Sequence, residues 1–209
     1  VSGQKLFTRP GILFNVAFFK NKAENDYVMS WPVFETNLPA SAYRKVRRRN
    51  DYYEANFYHV GLGFRKLYFD KFDLECAFYQ NKKGIQSLNF DARHAYTKGI
   101  NIMPNLVLEK QDFLVKGLDM KYTIVTPIIR SNMTDTATTR RQWDGTVTQA
   151  VGETDDNLFN ESHDRQFEVR SKFNLKYTRG RHTLNLNDQY AYSAYTPKDE
   201  GMKDYLGFD

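Results

Sequence analysis

The sequence predicts an all-β fold, an antiparallel up-and-down sheet of about eight strands. Three observations carry this. Apolar residues recur with period two in segment after segment, the pattern of a strand whose two faces meet different surroundings. Sixteen Phe and 14 Tyr stand against 2 Trp, a composition suited to pleated surfaces. The connections alternate between short and long, as they do when every strand runs back beside the one before it. No segment shows an amphipathic-helix pattern of comparable strength.

The strands follow in order. GILFNVAFFK (11–20) is mostly apolar. YVMSWPVF (27–34) puts Tyr27, Met29, Trp31 and Val33 on one face, with Pro32 marking an edge or an end. NFYHVGLGFR (56–65) gathers Tyr58, Val60, Leu62 and Phe64. KFDLECAFYQ (71–80) sets Phe72, Leu74, Cys76 and Phe78 against Lys71, Asp73, Glu75, Ala77 and Tyr79. NLVLEKQDF (105–113) is weaker, and LDMKYTIVTPI (118–128) alternates again. FEVRSKFNLKY (167–177) is the cleanest, with Phe167, Val169, Phe173, Leu175 and Tyr177 opposed to Glu168, Arg170, Lys172, Asn174 and Lys176. HTLNLNDQYAY (182–192) closes the series. The short joins are 20–26, 66–70, 114–117 and 178–181; the long ones are 35–53, 81–103 and 129–165. Loops that long are uncommon in a compact domain unless they serve a function.

An apolar strand face packs on protein or faces lipid. No run approaches the roughly 18 apolar residues of a membrane helix, but transmembrane strands leave only a weak hydropathy signal. Tight turns at one end and large loops at the other are the pattern of outer-membrane barrels. FEVRSKFNLKY matches the roughly 9–11 residues of a spanning strand. Its charges are costly toward lipid and natural in a watery lumen. Period two alone serves a soluble sandwich equally well, so at this level both architectures stand.

Composition narrows the function. Net charge is +5 with a pI near 9.1, and mean hydropathy is −0.67. The single cysteine, Cys76, excludes a disulfide framework and a cysteine metal site. The chain begins at Val1 with no signal peptide, as a processed protein or an excised piece would. The 209 residues are taken as one domain.

Two segments stand out as ligand contacts. TTRRQWDG (138–145) combines Arg140, Arg141, Trp143 and Asp144. Trp and Arg are the usual anchors of binding surfaces, and a Trp face beside Asp also suits a sugar. The plainer expectation is a loop held down by its own Trp. YRKVRRR (43–49) carries Arg47, Arg48 and Arg49 in a long loop, suited to lipopolysaccharide phosphates or to steering an anionic ligand, and otherwise simply solvated. A nucleic-acid role is not expected, because basic charge alone is the non-specific part of such binding.

His59, His94, His163 and His182 lack ligand spacing and are taken as structural. Asp73, Glu75 and Glu168 are expected to pair with basic groups on other strands. GETDD (152–156) lacks the spacing of a calcium loop, and the sequons NMT (132–134) and NES (160–162) are taken as chance. No nucleophile elbow, phosphate loop or zinc motif is present, so no enzyme, metal or cofactor is expected.

Several phrases resemble the barrel of TonB-dependent receptors of the Bacteroidota. They are FLVKGL (Phe113–Leu118), Asp135–Thr136, the run Gln142–Trp143–Asp144–Gly145, Gly152–Glu153 and KKGIQ (82–86). The resemblance spans about residues 11–195. It implies a bacterial outer-membrane location, short periplasmic turns, long surface loops and energy-coupled uptake of a scarce nutrient: siderophore, glycan, peptide or vitamin. It also implies contact with outer-membrane lipid and lipopolysaccharide, coupling to TonB through a plug domain, and an accessory surface lipoprotein. The chain departs from the family in its strand number, in lacking any plug-like segment, and in its DYLGFD end without a terminal aromatic. A consecutive piece of a larger barrel is therefore expected. A closed eight-stranded barrel with adhesive or structural loops and a soluble carbohydrate-binding sandwich are the alternatives.

Overall fold

The computed structural model describes residues 2–9, 11–32, 43–87, 89–154 and 160–198. Thirteen strands are formed and, among the described residues, no helix: β1 (Ser2–Arg9), β2 (Ile12–Glu24), β3 (Tyr27–Pro32), β4 (Tyr43–Arg48), β5 (Tyr52–Arg65), β6 (Lys71–Gly84), β7 (Tyr96–Lys110), β8 (Leu118–Val125), β9 (Ile128–Asp135), β10 (Thr139–Arg141), β11 (Val147–Gln149), β12 (Asn160–Arg179) and β13 (His182–Thr196). Nine of them make one antiparallel sheet in the order β1-β2-β5-β6-β7-β8-β12-β13, with β9 also between β7 and β12. The fold is all-β and antiparallel, as expected.

β8 and β9 are one stave. Both keep a single register against β7 and against β12. The interruption falls at Pro127, which has no N–H to give Glu168 but still accepts from the Glu168 N–H at 2.9 Å. Pro104 of β7 likewise accepts from Thr126 at 3.0 Å and cannot return the bond. The sheet therefore has eight staves, but not the eight expected. Residues 2–9 form a stave the alternation did not reveal. The segment expected as strand 27–34 is no stave; its described part, β3, pairs with β4 in a separate two-stranded sheet. Residues 20–24 continue β2 instead of forming a short join. The segment 43–49, expected as loop, is mostly strand β4. Of the other residues expected in the long connections, 52–53, 81–84, 96–103, 129–135 and 160–165 are strand too.

With those corrections the short–long alternation becomes regular. At one end lie the tight joins at 10–11, 66–70, 111–117 and 180–181. At the other lie 25–51, 85–95 and 136–159. The turn end is staggered. Followed across the sheet from Ile12, the first residue of β2, the register passes Phe64, Phe72, Leu108 and Tyr122 to Phe173. Phe173 lies six residues before Arg179, the last residue of β12. The turns therefore shift by about six residues over five strand steps.

One face of the sheet is apolar in rows. The row nearest the loops is Phe18, Tyr58, Phe78, Ile102, Ile128 and Phe167. Next come Val16, Val60, Cys76 and Pro104, then Phe14, Leu62, Leu74, Leu106 and Ile124, then the Ile12 row above. The rings touch along the outer rows, Phe18–Tyr58 at 5.2 Å and Phe64–Phe72 at 5.8 Å between centroids. Aromatics thus concentrate at the two margins, and of the inner positions only Phe14 is aromatic. Among the described residues nothing covers this face: Val60 and Leu74 are each 48% exposed. Among the described residues the buried apolar side chains are only Val46, Ala55, Ala92, Ala95 and Met120.

The opposite face is an ionic ladder. Arg65 pairs with Asp73, Lys71 reaches Asp73 (3.5 Å) and Glu109 (3.7 Å), and Lys121 binds Glu109 at 2.9 Å. Glu75 meets His59 (3.8 Å) and Asn105 (3.4 Å). Asp73 and Glu75 thus find partners on other strands, as expected, while the ion-pair partner of Glu168 is Arg170 on its own strand.

The FLVKGL turn depends on one glycine. Gly117 has φ +86, and a Cβ there would lie 2.3 Å from the Thr178 carbonyl oxygen, which the Gly117 carbonyl neighbours by accepting from Thr178 N–H at 2.8 Å. Gly180 also has positive φ (+60) but opens onto empty space. Gly180→Ala should cost about 1–2 kcal/mol from the left-handed conformation alone. Gly117→Ala should cost measurably more, and a denaturant titration of refolding on both variants isolates the clash.

Candidate ligand-binding surface at the loop end

At the loop end the connections fold onto one another. The join 25–51 carries the β3–β4 hairpin, and the join after β9 carries the β10–β11 hairpin, whose strands pair Thr139 with Gln149 and Arg141 with Val147. Between them lies 85–95. Asn50 holds that loop from below, its Nδ2 donating to the carbonyls of Ile85 and Ala95, each at 2.8 Å. Gln86 Nε2 donates to the Arg49 carbonyl at 3.2 Å.

The two basic segments expected from sequence meet here, and Asp91 is their meeting point. Asp91 N–H donates to the Arg141 carbonyl at 2.9 Å, and its Oδ2 lies 3.8 Å from Arg49 Nη1. Arg93 binds the same oxygen through Nε (3.0 Å) and Nη2 (2.5 Å). Arg140 stands over Phe90, its guanidinium carbon 4.3 Å from the ring centroid. Its Nε and Nη2 are buried without a hydrogen-bond partner, as is Asp91 Oδ1. Phe90 and Gln142 form an isolated bridge.

The remaining expected residues spread over the surface. Trp143 packs on Trp31, with ring centroids 5.8 Å apart. It ties two hairpins together, where the plainer expectation had it holding its own loop. Asp144 closes the β10–β11 turn by accepting from Thr146 N–H at 2.7 Å. That backbone bond, then the Thr146 side chain, then the charge of Arg44 hold its carboxyl below the usual range. Arg141 Nη1 donates to the Gly145 carbonyl at 3.1 Å. Arg48 donates to the Tyr27 hydroxyl at 2.8 Å and borders a cleft of about 330 Å³ with Asp51, Lys83, Gln86 and Thr97. Arg47 is exposed on β4, opposite Val28.

Sequence reasoning missed Trp31 as a site residue, and also Asp91 and Arg93; it named Asp135 and Glu153 only as parts of the receptor-like phrases. The last two form a buried brace. Asp135, at the top of β9, accepts from Glu153 N–H (2.8 Å), Thr154 N–H (2.9 Å) and the Thr154 hydroxyl (2.7 Å). Glu153 Oε1 then accepts from three consecutive amides, those of Arg93 (2.8 Å), His94 and Ala95 (2.6 Å). His94 Nδ1 lies 3.2 Å from Glu153 Oε2, a structural role as expected. The acidic GETDD run was the available signal. Its meaning lay in backbone acceptance, which spacing does not display.

The surface presents arginine and indole groups held by neighbouring loops. Among the described residues no three His, Cys, Asp or Glu gather closely enough to hold a metal ion. Removing either member of the indole pair should loosen the β10–β11 hairpin. A Trp31→Ala/Trp143→Ala double-mutant cycle should give a coupling of about 1 kcal/mol, read from amide exchange in residues 139–149.

No protein-family model, curated protein or solved structure matches this chain.

Proposed function

We propose that this chain forms eight consecutive staves of an outer-membrane β-barrel of the TonB-dependent receptor type, whose loop end captures a nutrient for energy-coupled uptake. The observation that carries the barrel is the uncovered apolar face. A sandwich would put a second layer on Val60, Leu74 and Phe167, which instead are 41–48% exposed. Lipid is the surrounding that makes this face favourable.

The geometry supports the same reading. Six residues of stagger over five steps is roughly 20 Å along the strands against roughly 24 Å across them. Turns lying in one plane then incline the strands by about 40°, the usual tilt of membrane barrels. The apolar stretch of β12, Phe167 to Tyr177, is roughly 33 Å long. Inclined so, it rises about 25 Å, the height of a barrel's lipid band, with aromatics at both margins. Among the described residues, the sheet's outer strands, β1 and β13, have no further partner at their outer edges. Open edges are not viable in lipid, so closure requires further strands, which favours a large barrel over a closed eight-stranded one. The receptor part of the proposal rests on the Arg- and Trp-bearing loop surface and on the phrases quoted above.

Cys76 supplies the test. It is exposed on the apolar face, one row below the Phe18 row. A hydrophilic maleimide should leave it unmodified in native membranes and modify it fully in urea. Equal reaction in both would overturn the barrel. For the receptor function, Arg141→Ala/Trp143→Ala should lower nutrient uptake at least tenfold with Cys76 still protected; unchanged uptake would refute the assigned surface.

A further inference from the structure

Above the Phe18 row, toward the loops, the same face continues for two rows and changes character. The first is Lys20, Asn56, Gln80, Ile100, Arg130 and Arg165; the second is Lys22, Glu54, Lys82, Lys98, Asn132 and His163. Six of these side chains are Lys or Arg and one is a carboxylate. Lys82 stands directly opposite Lys98, and Arg130 directly opposite Arg165. Lys98 and Arg130 are diagonal neighbours across β7 and β9. Like charges directly opposite destabilise a sheet. Two such pairs joined by a diagonal form a continuous cationic patch across four staves.

The nearby carboxylates do not neutralise it. Glu54 lies opposite Lys82 but is shared with Lys22 at 3.5 Å. Glu24 binds Lys22 at 3.4 Å, and Glu161 lies 3.7 Å from His163. Two hollows border the patch. A cavity of about 210 Å³ is lined by Glu54, Asn56, Gln80, Lys82, Tyr96 and Lys98, with Lys82 held 4.3 Å above the Tyr96 ring. A second, of about 300 Å³, is lined by His163, Arg165, Thr196 and Lys198.

We infer that this band is a docking site for the phosphorylated headgroup of a membrane glycolipid of the lipid A class. The inference rests on the barrel reading and deepens it. Its occupant follows from continuity: the rows below suit acyl chains, and the cations stand roughly 7–14 Å further along the strands. That is the level of the headgroups, just beyond the aromatic margin. Arginine grips phosphate oxygens in pairs, and Lys82 and Lys98 supply point charges beside it. A phosphate seated between opposed cations replaces their repulsion with attraction. The basic wall, more than the 43–49 hairpin strand, is thus the lipopolysaccharide contact.

The test uses the full chain in neutral detergent, with bisphosphorylated lipid A, dephosphorylated lipid A and inorganic pyrophosphate as probes. Wild type should bind bisphosphorylated lipid A at least tenfold more tightly than Lys82→Gln/Lys98→Gln/Arg130→Gln/Arg165→Gln, and the gap should narrow with salt. The dephosphorylated lipid should not distinguish the two. In lipid-free micelles the variant should unfold no earlier than wild type, since it has lost two repulsive pairs. Equal binding of lipid A by both proteins overturns the site, as does pyrophosphate competing as well as the lipid. Earlier unfolding of the lipid-free variant would also overturn it, by assigning the cations to the fold. Maleimide protection of Cys76 is scored on the same samples in bilayers. A reactive Cys76 fails the barrel itself; a protected Cys76 with equal lipid binding fails only the headgroup site.

Discussion

On the proposed barrel, Leu74→Arg should destabilise the complete barrel that carries this chain by about 2–4 kcal/mol in bilayers, the cost of a cation in the middle of a lipid-facing band. Leu74 lies in an apolar row between Leu62 and Leu106, with a more aromatic row on the turn side. It is 48% exposed, so in water an arginine there would reach solvent. A surface substitution of that kind changes stability by only about 0.5 kcal/mol. The gap between the two figures is the point of the experiment, because it separates lipid from water as the medium against this face. Asn105→Arg is the control. Asn105 sits on the opposite face, 3.4 Å from the Glu75 carboxylate, where an added cation gains a partner. It should be near neutral in both media. A urea titration of vesicle-folded protein checks both variants, and a small effect at Leu74 would mean that water bathes the apolar rows.

How much of this was legible in the sequence depended on whether a residue's surroundings were local. Alternation revealed the staves of β6 and β12 because each strand carries its own contrast between apolar and charged positions. It misassigned β3 because Tyr27, Met29 and Trp31 alternate as a stave does, while their partners lie in β4, inside the same connection. Nothing in a period of two distinguishes a hairpin in a loop from a strand in a wall. It passed over β1, where SGQKLFTR lacks a clear two-faced pattern. The succession of short and long survived these errors, because 20–24 join β2 and β3 joins the following connection, which leaves it intact.

The candidate surface was legible in part for the same reason. Arg140, Arg141 and Trp143 advertise binding by residue type, and Arg47–Arg49 by charge. Arg49, Arg140 and Arg141 meet the 85–95 loop over long range, Arg49 and Arg141 at Asp91 and Arg140 at Phe90, and neither loop residue has a feature of its own in the sequence. The basic wall was hidden further still. Lys82, Lys98, Arg130 and Arg165 are unremarkable one by one, and only the register of β6, β7, β9 and β12 sets them side by side.

Asp135→Asn should release the loop cap while leaving the staves folded. Asp135 is 2% exposed, and both of its oxygens accept: Oδ1 from Glu153 N–H, Oδ2 from Thr154 N–H and the Thr154 hydroxyl. An asparagine amide nitrogen cannot accept, so one side of the brace is left facing donors with a donor. Each buried group left unpaired costs about 1–3 kcal/mol. The damage should propagate, because the backbone that Asp135 fixes carries Glu153, whose Oε1 gathers the amides of residues 93–95. Glu153→Ala should do the same one step later, freeing three consecutive N–H groups at once. For both variants the expected result is fast amide exchange at 91–95 and 152–154, with exchange in β6 and β7 unchanged. The Arg49–Asp91 and Arg140–Phe90 contacts depend on the 85–95 loop being held, so ligand capture should fall with the brace even though neither acid belongs to the exposed surface. Slow exchange at 93–95 in Glu153→Ala would mean that Asn50 and Gln86 suffice to hold the loop, and that the two acids are dispensable to the site.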